Sequence, residues 1–110
     1  MKIAKIELDN GVSFAIEDFQ LPLTIGRGKS CDIRINEPYV SRQHCELFMG
    51  TGRTLCLKDM SANGTIVNRR SVGAGESVKI SRHSHLEFAG EYSMTVTLTD
   101  DDGITLVPSV

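Results

Sequence analysis

The chain has 110 residues, 40% apolar and 24% charged, with a formal net charge of −2. That length suits one domain that buries about two-thirds of its unfolded surface, so a core needs neither metal nor disulfide. No apolar run approaches the roughly 20 residues that cross a bilayer, and the N-terminus shows no h-region of a signal peptide.

Cys31, Cys45 and Cys56 are odd in number and lack C-x-x-C spacing, which fits neither a disulfide framework nor a zinc site. They read as ordinary thiols in a reducing compartment, so a cytoplasmic location is expected. The charge is unevenly distributed. Residues 27–82 hold ten Lys and Arg against five Asp and Glu, while the rest of the chain holds two against nine. A local positive region inside an acidic chain suits a discrete anionic ligand better than a long polyanion.

In chain order, Ala4, Ile6 and Leu8 alternate with Lys5 and Glu7, a strand with one wet face. Asp9-Asn10-Gly11 is a hairpin turn, and Val12, Phe14 and Ile16 return. After Pro22, Leu23 and Ile25 alternate into Gly26-Arg27-Gly28, where the flanking glycines let the backbone turn and leave Arg27 unobstructed. Ile33 and Ile35 flank Arg34 in a short strand, and Asn36-Glu37-Pro38 is turn chemistry.

Tyr39 to Gln43 predicts a loop entering a strand with Cys45, Leu47 and Met49 on one face. Leu55 and Leu57 oppose Cys56 and Lys58 in the next strand. Met60 to Gly64 is a second Asn-Gly loop before Thr65-Ile66-Val67. Val78 and Ile80 form a short strand, Arg82 to His85 a polar loop, and Leu86 and Phe88 another strand. The clearest alternation is Tyr92, Met94, Val96 and Leu98 against Ser93, Thr95, Thr97 and Thr99. No helical period persists, so ten or eleven short strands with frequent turns predict an all-β sandwich. Residues 1–99 form the domain, and 100–110 read as a C-terminal tail or the start of a linker.

Three blocks carry the candidate chemistry. Arg27 can grip two phosphate oxygens with its planar fork, Ser41 supplies a compact hydroxyl donor, and Arg42 adds a second cation. Asn63 has both a donor and an acceptor and can pair with a peptide main chain.

Gly26-Arg27, Ser41-Arg42-x-His44 and Asn63-Gly64-Thr65-x-x-Asn68, in this order with strands between, resemble the signature of the forkhead-associated (FHA) domain family. The resemblance covers about residues 2–99. It implies an eleven-stranded β-sandwich of two twisted sheets, FHA/SMAD-like, whose loops at one end bind phosphothreonine peptides. By position, Arg27 and Ser41 would hold the phosphate with help from Arg42, and Asn63 would hold the peptide main chain. Gly26, His44, Gly64 and Asn68 match positions that support the loops. The implied partner is a phosphothreonine-containing protein, a Ser/Thr kinase substrate. A second determinant in the family is the side chain three residues after the phosphothreonine, for which Arg69, Arg70 and Arg82 are candidates. Ala62 departs from the pattern, because many members carry Ser or Thr there, with a hydroxyl that assists at the phosphate.

Other readings compete. Ser41, His44 and Asp59 could form a hydrolase triad, but no Gly-x-Ser-x-Gly elbow is present. His83 and His85 could bind a metal, but no third ligand is evident. The basic residues could bind nucleic acid, but five percent aromatics and no Trp make a poor stacking platform. The expectation is therefore a module with no catalysis, cofactor, nucleic-acid or membrane partner. The alternative is a phosphate-independent adapter or self-association module of the same fold.

Overall fold

The computed structural model describes residues 1–99 and 104–108. Eleven strands run in the order β1 (Lys2–Leu8), β2 (Ser13–Glu17), β3 (Leu23–Gly26), β4 (Ile33–Arg34), β5 (Cys45–Met49), β6 (Leu55–Asp59), β7 (Thr65–Val67), β8 (Arg70–Val72), β9 (Ser77–Lys79), β10 (His83–Phe88) and β11 (Tyr92–Leu98). Six form one sheet, β2-β1-β11-β10-β7-β8, and five the other, β4-β3-β5-β6-β9. Only the β3–β4 pair is parallel among the described pairs; its register sets Gly26 beside Arg34. The expected sandwich of eleven strands in two sheets is what forms.

Alternation is the cause. Ile3, Ile6, Ile25, Leu47, Leu55, Leu57, Leu86, Phe88, Met94 and Val96 are almost wholly buried between the sheets. Most of their neighbours along each strand are exposed or half-buried, with Ala4, Gly26 and Cys56 as buried exceptions. The two helical pieces, Asp18–Gln20 and Thr51–Arg53, are single 3₁₀ turns between strands.

Two strands depart from the expectation. β8 has no counterpart in the alternation, because its three residues include Arg70 and Ser71, both exposed, and bury only Val72. His83 to His85 was read as loop, yet β10 begins at His83. Ser84 stands at a core position opposite Val96, while His83 and His85 face outward opposite Thr97 and Thr95. A buried serine breaks the apolar alternation that sequence reading relies on. Its hydroxyl is satisfied by Ser81, 2.8 Å away.

Of the expected tail, residues 100–103 and 109–110 lie outside the described residues. Residues 104–107 lie back on the sandwich: Ile104 is buried in the core, Thr105 N–H donates to the Arg53 carbonyl (2.8 Å), and Arg82 N–H donates to the Val107 carbonyl.

The registers sort the loops into two ends. Cys45 pairs with both Ile25 and Asp59, Thr65 with Phe88, and Leu8 with Met94. The β3–β4, β4–β5, β6–β7, β10–β11 and β1–β2 connections therefore share one rim. The β5–β6, β7–β8 and β9–β10 connections share the other.

Candidate phosphopeptide site

The rim is held together at Gly26. A Cβ there would stand 2.9 Å from the Arg42 carbonyl carbon and from the His44 nitrogen, so only glycine lets the two chains lie this close. The close approach permits two main-chain bonds, Arg27 N–H to the Ser41 carbonyl (2.9 Å) and Gly28 N–H to the Arg42 carbonyl (3.0 Å). The arginine loop and the serine loop are thereby zipped together.

Arg27 is partly buried, and its Nε donates to the Val40 carbonyl at 2.9 Å. That bond fixes the plane of the guanidinium and leaves the terminal Nη groups for a ligand. Ser41 is fixed on both sides. Its N–H donates to His44 Nδ1 (3.1 Å), and its Oγ accepts the Ala62 N–H (3.0 Å). With an acceptor position filled, the Ser41 hydroxyl proton is the part left to donate. Asn63 is exposed; its Nδ2 donates to the Tyr39 carbonyl (3.0 Å), leaving its Oδ1 and a second N–H. Arg42 is exposed beside them.

His44 is the peg beneath these loops. It is fully buried, packs tilted against the Phe88 ring with centroids 4.6 Å apart, and pairs its Nε2 with the Gly64 carbonyl at 3.0 Å. Because Nδ1 accepts from Ser41, Nε2 carries the proton and donates to that carbonyl. Burial pulls the imidazole below its ordinary pKa, and the Gly64 carbonyl and the Asp59 charge oppose that pull. Gly64 sits at φ +93°, a conformation that strains any side chain, and its N–H donates to Ser61 Oγ (2.8 Å).

Sequence reading did not find the network under the β6–β7 loop. Asp59 Oδ1, almost wholly buried, accepts from the hydroxyls of Ser61 and Thr65, each at 2.7 Å, and from Ser61 N–H at 3.3 Å. These bonds shape the loop that delivers Ala62 and Asn63. The pattern Asp-x-Ser-x-x-x-Thr was its available signal, since Ser and Asp commonly bond to nearby backbone.

These contacts do not form a triad. His44 faces the Ser41 main-chain N–H through Nδ1 and the Gly64 carbonyl through Nε2, and Asp59 Oδ1 is taken up by Ser61 and Thr65. Among the described residues no cluster of three or more metal-ligating side chains exists. His83 Nδ1 lies 2.9 Å from Thr97 Oγ1, and His85 Nε2 lies 3.9 Å from Glu87. All three cysteines are free thiols.

Arg27, Ser41, Arg42 and Asn63 thus meet at one rim, with Gly26, His44 and Gly64 directly beneath. Asn68 does not join them. It lies past the far end of β7, where Oδ1 accepts His85 N–H (2.8 Å) and Nδ2 reaches Ser81 and Ser84 Oγ (3.3 Å each). Arg69 and Arg70 share that far end because three-residue β7 carries the chain across before they occur, and Arg82 lies there in the β9–β10 connection. They are thereby removed as candidates for reading a residue near the phosphate.

A sequence model of the FHA domain matches residues 23–89, from the start of β3 to just past β10. The chain belongs to the FHA domain family. A probable serine/threonine-protein kinase, fhkA, of Dictyostelium discoideum is 38% identical over 63 residues, covering 50% of this chain and 11% of that protein. The chain therefore spans about a tenth of that relative. The MEK1 FHA domain, solved with a HOP1 phosphothreonine peptide, superposes with a TM-score of 0.78 at 20% identity, covering 91% of this chain and 100% of that one. The FHA1 domain of yeast Rad53 gives 0.76 at 19% identity, covering 90% and 78%. An FHA domain studied for phosphothreonine-dependent interactions gives 0.76 at 24% identity, covering 90% and 99%. At these identities the superpositions establish the fold. No helix among the described residues is long and apolar enough to cross a membrane.

Proposed function

We propose that this chain captures a phosphothreonine-bearing segment of a Ser/Thr kinase substrate in the cytoplasm. It couples the kinase signal to assembly of a protein complex, with no catalytic step of its own. Arg27 Nη groups, the Ser41 hydroxyl and Arg42 would hold the phosphate, and Asn63 would hold the peptide main chain. Residues 1–99 would act as the recognition module and 100–110 as its tail or the start of a linker.

The observation that carries this reading is how the donors are held. Arg27 is fixed through Nε at 2.9 Å, which leaves its Nη groups for the ligand, and Ser41 Oγ accepts the Ala62 N–H at 3.0 Å, which leaves its hydroxyl proton to donate. A phosphate monoester brings nearly two charges and strong acceptor oxygens. Meeting pre-set donors, it loses little to ordering. Charge-assisted bonds contribute about 1.5–3 kcal/mol each, so a few of them, less association costs, give micromolar binding near −8 kcal/mol. Phosphopeptide-bound relatives support the reading by analogy.

One observation favours the phosphate-independent adapter as a second reading. Ala62 has no hydroxyl, and its N–H is already used on Ser41 Oγ. Calorimetric titration with a phosphothreonine peptide library and its dephosphorylated twin separates the two. Binding of the phosphorylated library alone is expected; equal binding of both would leave the adapter standing.

A further inference from the structure

Beside Arg27 the rim opens into a groove of about 730 Å³, and its charge exceeds what one phosphate requires. Arg27, Lys29, Arg34 and Arg42 line it, with Asn36 and Gln43 among the polar residues between them. No carboxylate lines it. None of the four cations enters an ion pair within 4.0 Å among the described residues. Asp32 lies outside this lining, its Oδ2 turned to the Thr24 N–H at 2.8 Å. Arg34 is held in place, its Nε donating to the Arg27 carbonyl at 2.9 Å, so its terminal N–H groups stay beside the phosphate position.

Like charges gathered without a counter-charge raise one another's energy, and an anion relieves that cost. One phosphothreonine would engage Arg27 and Arg42. Lys29 and Arg34, both exposed, remain in the same groove with no anion to meet.

We infer that Lys29 and Arg34 form a second anion subsite, which takes a carboxylate or a second phosphate on the same peptide as the phosphothreonine. An extended peptide advances about 3.3–3.6 Å per residue. With Arg34 bonded to the Arg27 backbone, the second anion falls within about three residues of the first. The inference rests on the phosphothreonine reading and names the ligand class for it: segments modified by an acid-directed kinase, or phosphorylated twice. Arg34 owes its outward direction to the Ile33-Arg34-Ile35 alternation, in which both isoleucines are buried. It stands beside Arg27 because β4 lies parallel to β3.

The test uses the full chain and three degenerate peptide sets, each with a fixed central phosphothreonine. One set has neutral flanks, one has Asp or Glu at positions up to three residues on either side, and one has a second phosphothreonine there. Affinities are measured in the parent, Lys29→Gln and Arg34→Gln. The parent is expected to bind the doubly anionic sets about tenfold tighter than the neutral set, with a steeper loss on adding salt. Each variant should shrink that ratio toward one. The ratio also cancels any general weakening caused by losing the Arg34 bond to the Arg27 carbonyl. A gain confined to Asp and Glu identifies a carboxylate subsite, and one confined to the second phosphate a phosphate subsite. A neutral set that binds as tightly as the others overturns the inference and leaves phosphothreonine recognition intact. So does a preference that survives in both variants. Phosphate-independent binding of all three sets overturns both.

Discussion

At the rim, the side chains of Arg27, Ser41 and Asn63 each make one hydrogen bond to the protein and keep a further donor for a ligand. At the opposite end of the sandwich Asn68 has its side chain bonded through both its oxygen and its nitrogen. Its main-chain N–H donates to the His85 carbonyl, its Oδ1 accepts from His85, and its Nδ2 reaches two serine hydroxyls. Both ends are polar turns closing the same two sheets, and composition alone does not separate them. The difference is where the donors end. A turn that satisfies itself stabilises the fold, and a turn held rigid with donors left over can stabilise a ligand.

Substitution at the two ends should therefore give opposite results. Arg27→Ala removes the paired guanidinium bonds and should weaken phosphopeptide binding by about 3 kcal/mol or more, over a hundredfold in calorimetry. It removes one bond to Val40 from the fold, so its melting temperature should fall by no more than about 5 °C. Unchanged affinity in that variant would sink the site assignment.

Asn68→Ala should do the reverse, with a smaller effect. It deletes three side-chain bonds, leaves the His85 N–H without its acceptor, and puts alanine at φ +50°. A loss of about 1–2 kcal/mol of stability follows, seen as a melt lowered by roughly 5–10 °C. The folded fraction should keep its peptide affinity within about twofold, because no bond of Asn68 reaches the rim. A variant that melts normally but binds poorly would mean that the two ends are coupled.

The sequence reveals the two ends unequally. Gly26-Arg27, Ser41 and Asn63 are legible because each sits where a strand pattern breaks into a turn, with side chains whose chemistry converges on phosphate. Asn68 belongs to the same motif and looks like part of the same site, yet β7 carries it a strand length away. Spacing along a chain does not say which way a strand travels. Arg34 was visible as an exposed cation but not as a neighbour of Arg27, since parallel β3–β4 pairing is a long-range choice. β8 and the start of β10 were hidden because Arg70 and Ser84 hold positions set by tertiary register rather than by local propensity.

The smallest effect separates the peg under the rim from the donors on top of it. His44 works as a neutral imidazole, with Nδ1 accepting from Ser41 N–H and Nε2–H donating to Gly64. A proton on Nδ1 would set two donors face to face and release Ser41. Burial, the largest cause, places its folded pKa below the unfolded value of about 6.5. On acidification the unfolded chain therefore takes up this proton first. Stability from His44 is complete above the unfolded pKa, declines as pH falls through it, and stops declining below the folded pKa. Melts in steps from pH 8 to pH 5 should show that loss, and the same series in His44→Asn should be flatter. Melting is the better readout than peptide affinity, because the phosphate of the ligand itself gains a proton near pH 6 and would weaken binding with no help from the protein. A parent curve no steeper than the variant's would mean that His44 is not the group through which pH reaches the serine loop.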